Sequence, residues 1–431
     1  MKLYSIRSVN SHGSAGEEEQ EGLNLKLSGL ALFLILLLII GITAGICFGI
    51  SHAVYKNRME RENAYRVLFP ADTDPYKIAK FQDIIDFVQN DFALEYENDE
   101  LLESIIKSYV DSLGDRYSYY IEPGDYESYN DYITGTYVGL GFTYTRTAEG
   151  LHVEEVNAGS PAEECGLLAG QTVTRVNGMN AAELDDPAIL SMVNVSGTEI
   201  KLTVQSEDGT VSELTAKTAT INRQSVYGIG YEDGVYYIRI SQFDNDTGTE
   251  FDEMLKLAKE GGMTALVLDL RTNGGGYERE ADKVADALLG EGLVAYSQDK
   301  NGRRLSEVFS DASQVEVPVV LLVNQNTASA SELVTGAFRD FKKGTIIGTQ
   351  TFGKGIGQVS RSYTDDGSGV VITIATYFTP SGECIHGVGI TPDVIVTLPE
   401  ELSRLTPDKI PEGEDAQLDK ALELVRAELA G

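Results

Sequence analysis

The chain has 431 residues, more than one small core usually holds, so two or more folded units with some non-globular remainder are expected. Its 67 acidic and 34 basic residues leave a formal charge of -33, which repels phosphate backbones and, with no local basic patch, argues against nucleic-acid binding. With 42% hydrophobic residues the chain can bury a core; Cys47, Cys165 and Cys384 lie far apart without a CxxC, and only four histidines (His12, His52, His152, His386) are present, so disulfide, metal and His-based chemistry are disfavoured and no cofactor is expected.

A polar tail, 1–28, comes first. From Leu27 to Tyr55 there is no Asp, Glu, Lys or Arg, and residues 29–50 would span roughly 33 Å as a helix, enough for a hydrocarbon core of about 30 Å. The pattern predicts a transmembrane helix over 29–50. A cleaved signal peptide is the competing reading, since Ser51-His52-Ala53 resembles a small-x-small cleavage site. The long apolar run and the 28-residue polar stretch before it favour an uncleaved anchor. Cys47 follows Ile46 rather than a small residue, so it does not read as a lipoprotein cysteine. Lys56, Arg58, Arg61 and Arg66 follow the run closely, against Arg7 and Lys26 before it; taken alone, this bias opposes export of the body.

After a linker, 51–75, apolar residues recur near helical spacing through 76–130 (Phe81, Ile84, Ile85, Phe87, Val88, then Leu101, Leu102, Ile105, Ile106, Val110, Leu113), predicting an N-terminal helical region whose role is packing. Strand-like alternation at Thr198–Gln205 and frequent glycine turns predict a small β-rich domain over 131–220. From 221 to 400 strand and helix alternate: strands at Val235–Ile240, Ala265–Leu270 and Val317–Val323, helices at Thr249–Lys259, Glu278–Leu289 and Ser329–Phe341. That alternation predicts an α/β domain with functional loops at the strand ends. Leu418, Leu422, Leu424, Val425 and Leu429 mark an amphipathic helix in a C-terminal segment, 401–431.

Three segments of the α/β domain carry candidate chemistry. In Val323-Asn-Gln-Asn-Thr-Ala-Ser-Ala-Ser-Glu332 a buried strand breaks into small polar residues and becomes a helix, placing a serine where unpaired amides stabilise negative charge. Alone this reads as an N-cap, because Ser-x-x-Glu is a capping pattern. In Thr351-Phe-Gly-Lys-Gly-Ile-Gly-Gln358 a lysine sits between glycines. With histidine so scarce, a desolvated lysine could supply the base a serine needs, provided burial lowers its pKa from about 10.4 by several units. Gln358 could then orient the amine. Asp269-Leu-Arg-Thr-Asn-Gly-Gly-Gly-Tyr277 follows a buried strand, and its glycines would let backbone N–H groups face a reacting oxygen; neither GxxxxGK[ST] nor GxGxxG is matched.

On Thr327-Ala-Ser-Ala-Ser-Glu332, Thr351-Phe-Gly-Lys-Gly355 and Gln358, with Asp115-Arg-Tyr-Ser118, Gly387-Val-Gly-Ile-Thr-Pro-Asp393 and Asp415-Ala-Gln-Leu418, the chain resembles the carboxy-terminal processing proteases. These are S41-type serine peptidases, membrane-linked or exported, with a Ser-Lys dyad and an embedded PDZ domain, and the resemblance runs from about Phe81 to Val425. It implies a crotonase- and Clp-protease-like α/β catalytic core with an inserted PDZ domain at 131–220, an N-terminal helical segment and one transmembrane helix. By it Ser329 would be the nucleophile, Lys354 the general base, Gln358 its orienting partner, and the N–H groups of Ala330 and Gly275 the oxyanion hole. Gly139-Leu140-Gly141-Phe142 resembles the carboxylate-binding loop of PDZ domains, and Ser160-Pro-Ala with Gly166-Leu-Leu-Ala-Gly170 supports that match. Two positions depart from the family: Met192-Val-Asn-Val-Ser196 stands where members often carry Arg-Gly, which puts arginine-linked gating in doubt, and Gly274 stands where proline is common.

The resemblance implies a serine endopeptidase of the cell membrane, single-pass with the catalytic domain outside the cytoplasm, acting on proteins or peptides with free C-termini. It also implies a homodimer formed through the 76–130 and 401–431 helices. Two rival functions are a catalytically silent PDZ scaffold, against which all three dyad positions are occupied, and a crotonase-like acyl-CoA enzyme, which the missing basic cluster disfavours.

Overall fold

The computed structural model describes residues 72–430 together with Leu38 and residues 49–52. The transmembrane helix predicted over 29–50 therefore lies outside the described residues, apart from Leu38, Gly49 and Ile50, which are helical. Among the described residues no helix is long and apolar enough to cross a membrane.

The chain divides into two units, Met1–Tyr96 and Glu97–Gly431. The first contains helix α1 (Pro75–Asp91), started by Pro75 at its first position and by the Asp74 carboxylate, which accepts from Tyr76 N at 2.9 Å. The second opens with α2 (Asn98–Asp111), then β1 (Tyr119–Ile121) and α3 (Tyr126–Thr134). The region 76–130 is thus not helical throughout. Asp115-Arg-Tyr-Ser118 breaks it, and β1 instead joins the edge of a distant sheet.

After β2 (Thr136–Gly139) comes an antiparallel sheet, ordered β3-β4-β5-β7-β8 with β6 on β5. Its strands are β3 (Phe142–Arg146), β4 (Leu151–Val156), β5 (Thr172–Val176), β6 (Met179–Asn180), β7 (Glu199–Gln205) and β8 (Val211–Lys217), with helices α4 (Pro161–Glu164) and α5 (Asp186–Val193). Alternation along β7 sends Ile200, Leu202 and Val204 inward, where they meet Leu151, Val153, Val173 and Leu167 in a core separate from the rest of the unit. Strand β9 (Ala219–Asn222) pairs with β2, closing the module at its neck.

A six-stranded sheet, β10-β11-β12-β15-β16-β19, forms the larger part. After β10 (Val226–Gly230), which is antiparallel to β11, come β11 (Val235–Ile240), helix α6 (Thr247–Glu260), β12 (Ala265–Asp269) and helix α7 (Glu278–Leu288). The hairpin β13 (Gly292–Gln298) and β14 (Arg304–Ser310) leads to β15 (Val319–Val323), helix α8 (Ala330–Asp340) and β16 (Gly344–Gly348). Strands β17 (Ile356–Tyr363) and β18 (Ser368–Phe378) then build a second sheet with β1, β13 and β14, before β19 (Val394–Ile395), α9 (Glu400–Ser403) and α10 (Ala416–Ala430). From β11 to β19 the large sheet is parallel.

Both faces of this sheet are covered, which is why β12 and β15 read as unbroken apolar runs. Leu266, Leu268 and Leu321 face α6, α7 and α8, whereas Val267, Val320 and Leu322 face Ala421, Leu422 and Val425 of α10. The C-terminal helix is therefore a covering layer of this sheet and not an appendage. Each Val or Leu it covers contributes roughly 1.5–3 kcal/mol; Ala421, Leu422 and Val425 of its apolar face are buried in the chain, whereas Leu429 stays exposed.

Candidate active site

Three neighbouring strands, β12, β15 and β16, end on one side of the sheet and hand over to three irregular segments, where ligands of open parallel sheets bind. Thr327 Oγ1 donates to Leu270 O (2.8 Å), Ala328 N to Asn273 O (3.0 Å) and Ser331 Oγ to the same oxygen (3.0 Å), stitching the glycine turn to the serine segment. Phe352 N donates to Thr327 O (3.0 Å), adding the lysine segment.

Ser329 is the cap of α8, with φ +57° and ψ -120°. A non-glycine residue there stores about 1–3 kcal/mol and persists only where its surroundings hold it. They do: Ser329 N donates to Glu332 Oε2 (3.0 Å), and Ser329 O accepts from the N–H groups of Glu332 (2.8 Å) and Leu333 (3.1 Å). Glu332 is fully buried. Its Oε2 also accepts from Lys354 N (2.8 Å), and its Oε1 from Gly353 N (2.7 Å) and Thr351 Oγ1 (2.6 Å). One carboxylate thus ties the backbone of the candidate nucleophile to that of the candidate base. Its Ser-x-x-Glu spacing from Ser329 was legible in the sequence as a cap; its reach to residues 351–354 was not.

Burial pushes the Lys354 amine below the ordinary lysine range; Asp115 opposes this and the Arg116 charge adds to it. The ammonium nitrogen lies 4.9 Å from the ring centre of Tyr117, and no hydrogen bond joins it to Ser329 Oγ. Gln358 Nε2 donates to Thr373 Oγ1 (3.2 Å) and Ile356 O (3.4 Å), so its amide is engaged with strand β18 and makes no hydrogen bond to Lys354. Ala330 N is the first helical amide of α8, which has no intrahelical acceptor. Gly275 adopts φ +99°, and a Cβ there would lie 2.8 Å from Ser329 Cβ and 3.0 Å from Ala330 N, so the turn closes on Ser329 only because this residue is glycine. Its N–H donates to Asn273 Oδ1 (2.9 Å) and would have to leave that oxygen to serve an oxyanion. Ser329, Ala330, Gly275 and Lys354 come together; the proton path between Ser329 and Lys354 is open in this conformation.

The sequence landmarks are the supports of this site. Asp115 accepts from Tyr117 N (3.0 Å) and Ser118 Oγ (2.7 Å), and Thr373 N donates to Ser118 Oγ (2.9 Å), fixing Tyr117 against Lys354. Gly387 N donates to Gly353 O (2.8 Å) and Ile390 N to Thr351 Oγ1 (2.7 Å), backing the lysine loop. Arg271, buried, donates to Asp269, Asp415 and Gln417, locking the glycine turn to the start of α10. Nothing in the sequence reading assigned Arg271 or Glu332 these roles.

In the smaller module, Gly139-Leu140-Gly141-Phe142 joins β2 to the edge strand β3. Gly141 has φ +82°, and a Cβ would strike Ser160 at 2.4 Å. Leu140 O and Gly141 O accept from Ala162 N (2.8 Å) and Asn157 N (2.9 Å), whereas the amides of Leu140 and Gly141 donate to nothing among the described residues. Two unspent donors beside an unpaired strand edge suit a peptide carboxylate.

Fold and site define an α/β chain of the serine-hydrolase kind with a peptide-binding β module set into it. The sequence pattern of Peptidase family S41 matches residues 234–396, and that of the PDZ domain matches 152–206. A "Probable CtpA-like serine protease" of Staphylococcus haemolyticus (strain JCSC1435) is 30% identical over 392 residues, covering 89% of this chain and 76% of that protein. One of the same description from Staphylococcus aureus (strain COL) is 30% identical over 340 residues, 76% of this chain and 66% of that protein, so the chain spans just under two thirds of its length. The chain belongs to peptidase family S41 and contains a PDZ domain. Among solved structures, it is similar to the photosystem II D1 C-terminal processing protease (24% identity, TM-score 0.45, 74% of this chain and 87% of that one) and to the tricorn protease (17%, 0.49, 83% and 35%).

Proposed function

We propose that the chain is a membrane-anchored serine endopeptidase that engages protein C-termini through its PDZ domain and hydrolyses peptide bonds with a Ser329–Lys354 dyad. The observation that carries this reading is the Glu332 carboxylate, which binds Ser329 N and Lys354 N at once and sets the two segments in register. Ser329 Oγ attacks the scissile carbonyl while Lys354, whose ammonium form burial disfavours, takes its proton once deprotonated and returns it to the leaving amine. The amides of Ala330 and, once released from Asn273, Gly275 receive the oxyanion. Gln358 orients the amine after leaving Thr373. The conformation described is a resting one, and alignment of the dyad accompanies substrate binding.

The charge-free stretch from Leu27 to Tyr55 supports anchoring through 29–50, with 1–28 cytoplasmic and the body exported; long domains translocate despite nearby basic residues. A homodimer through the 76–130 and 401–431 helices belongs to the same reading, with Ala421, Leu422 and Val425 of α10 already buried against the sheet, so that the N-terminal helices would carry most of the contact. The test is cleavage of internally quenched peptides by the full chain in detergent: Ser329→Ala should abolish turnover and chelators should leave it unchanged. Binding of C-terminal peptides without any cleavage would replace this reading by that of a PDZ scaffold.

A further inference from the structure

Arg116 occupies an unusual position for a cation in a chain of formal charge -33. Most described arginines, such as Arg146, Arg223, Arg271 and Arg339, sit within ion-pair distance of a carboxylate; Arg116 has no such partner among the described residues. Its guanidinium carbon lies 4.7 Å from the ring centre of Tyr117 and 5.4 Å from that of Phe352, two residues before Lys354. One N–H donates to Tyr117 Oη, leaving the rest of a five-donor fork unspent. The Lys354 ammonium rests on the same Tyr117 ring, so two cations share one aromatic platform at the catalytic segment. Such an arrangement repels itself. The carboxylate that acts on Lys354 from this side is Asp115, held by Tyr117 N and Ser118 Oγ. The Asp115–Ser118 segment is pinned to strand β18 through Thr373 N, so the guanidinium is carried on a rigid support.

We propose that Arg116 is a substrate-selecting residue whose free guanidinium fork binds a carboxylate of the peptide close to the scissile bond. A planar guanidinium stacked on aromatic faces and short of an acceptor matches a carboxylate bidentately. The carboxylate is either an acidic side chain or the terminal α-carboxylate of the substrate, and both present the same chemistry. The inference rests on the peptidase reading and adds a substrate class to it.

The full chain in detergent is assayed with internally quenched peptides that differ only by Glu or Gln at successive positions, and with free-acid and amide forms of one sequence. At one position, or at the terminus, the carboxylate form should show kcat/KM higher by about tenfold, mainly through KM. Arg116→Gln should bring that ratio close to one while Arg116→Lys retains part of it. Because the ratio compares two peptides on one enzyme, it is insensitive to any change in the basicity of Lys354. A ratio near one throughout in the wild type, or one unchanged by Arg116→Gln, overturns the assignment; an acid-over-amide preference that survives Arg116→Gln belongs to the PDZ loop. If no peptide is cleaved, the peptidase reading fails by itself. Calorimetric affinities of the Glu and Gln peptides for the full chain then test Arg116, with equal values overturning it.

Discussion

Replacing Glu332 by Gln changes one oxygen of the hub into an NH2 group at nearly constant volume. In the native chain each oxygen accepts two hydrogen bonds: Oε1 from Thr351 Oγ1 and Gly353 N, Oε2 from Ser329 N and Lys354 N. A glutamine can satisfy only one of these pairs, and its NH2 faces the other with donors against donors. Hydrogen bonds to a charged group are worth about 1.5–3 kcal/mol each, so losing two costs roughly 3–6 kcal/mol. Thr351 can turn its hydroxyl elsewhere, so the amide should settle with its nitrogen toward the Thr351 pair or force Ser329 and Lys354 apart. In the second case a shift near 1 Å between nucleophile and base lowers the rate about 100-fold. The assay pairs kcat/KM on a quenched peptide with urea denaturation of the same preparations. A Glu332→Gln chain that is as stable and as active as wild type would refute the claim that this carboxylate sets the register of the dyad.

Activity should rise with pH along the deprotonation of Lys354, with a midpoint below the ordinary lysine value of about 10.4 because burial disfavours the ammonium; removing the nearby positive charge in Arg116→Gln should move that midpoint upward, and an unmoved profile in both cases would disqualify Lys354 as the base. Burial, with the Glu278 charge added, pushes the Asp282 carboxyl up to about 7. The folded chain therefore holds a proton that the unfolded chain loses near pH 4, stability falls as pH rises between the two values, and Asp282→Asn should stabilise by a few kcal/mol at pH 8 and not at pH 4 in denaturant titrations. Asp415→Ala leaves the buried Arg271 guanidinium short of an ion partner and should cost about 3–5 kcal/mol, read as a lower urea midpoint. For the PDZ loop, a free-acid peptide should bind the full-length Ser329→Ala chain about tenfold or more tighter than its amide, since the Leu140 and Gly141 amides can bond only an acceptor; equal affinities would remove the loop from C-terminal recognition.

Element existence was legible in the sequence wherever the cause is local. The strands Val235–Ile240 and Ala265–Asp269 and the helix Glu278–Leu288 follow from hydrophobic runs bounded by turn residues. The glycine turn, the serine segment and the lysine loop could be picked out because each breaks such a pattern, although the serine segment alone reads as a helix cap and only the three together point to chemistry. What escaped depends on chain segments far apart in sequence. The Asp115–Ser118 stretch looked like part of a helical region because its apolar neighbours keep helical spacing; it instead supports strand β18, with Thr373 N bonded to Ser118 Oγ.

Glu332 likewise satisfies a local rule, the cap of its own helix, and only folding brings residues 351–354 to its other lone pairs. The placing of the Lys354 nitrogen over Tyr117 without a hydrogen bond to Ser329 Oγ, and the commitment of the Gly275 N–H to Asn273, belong to the same class. Spacing along the chain names the residue types that meet, because sterics and hydrophobicity act over a few residues. Which donor faces which acceptor is decided by the packing of β12, β15 and β16 side by side, with α10 closing the far face and Arg271 bonded to Asp415 across 144 positions of sequence.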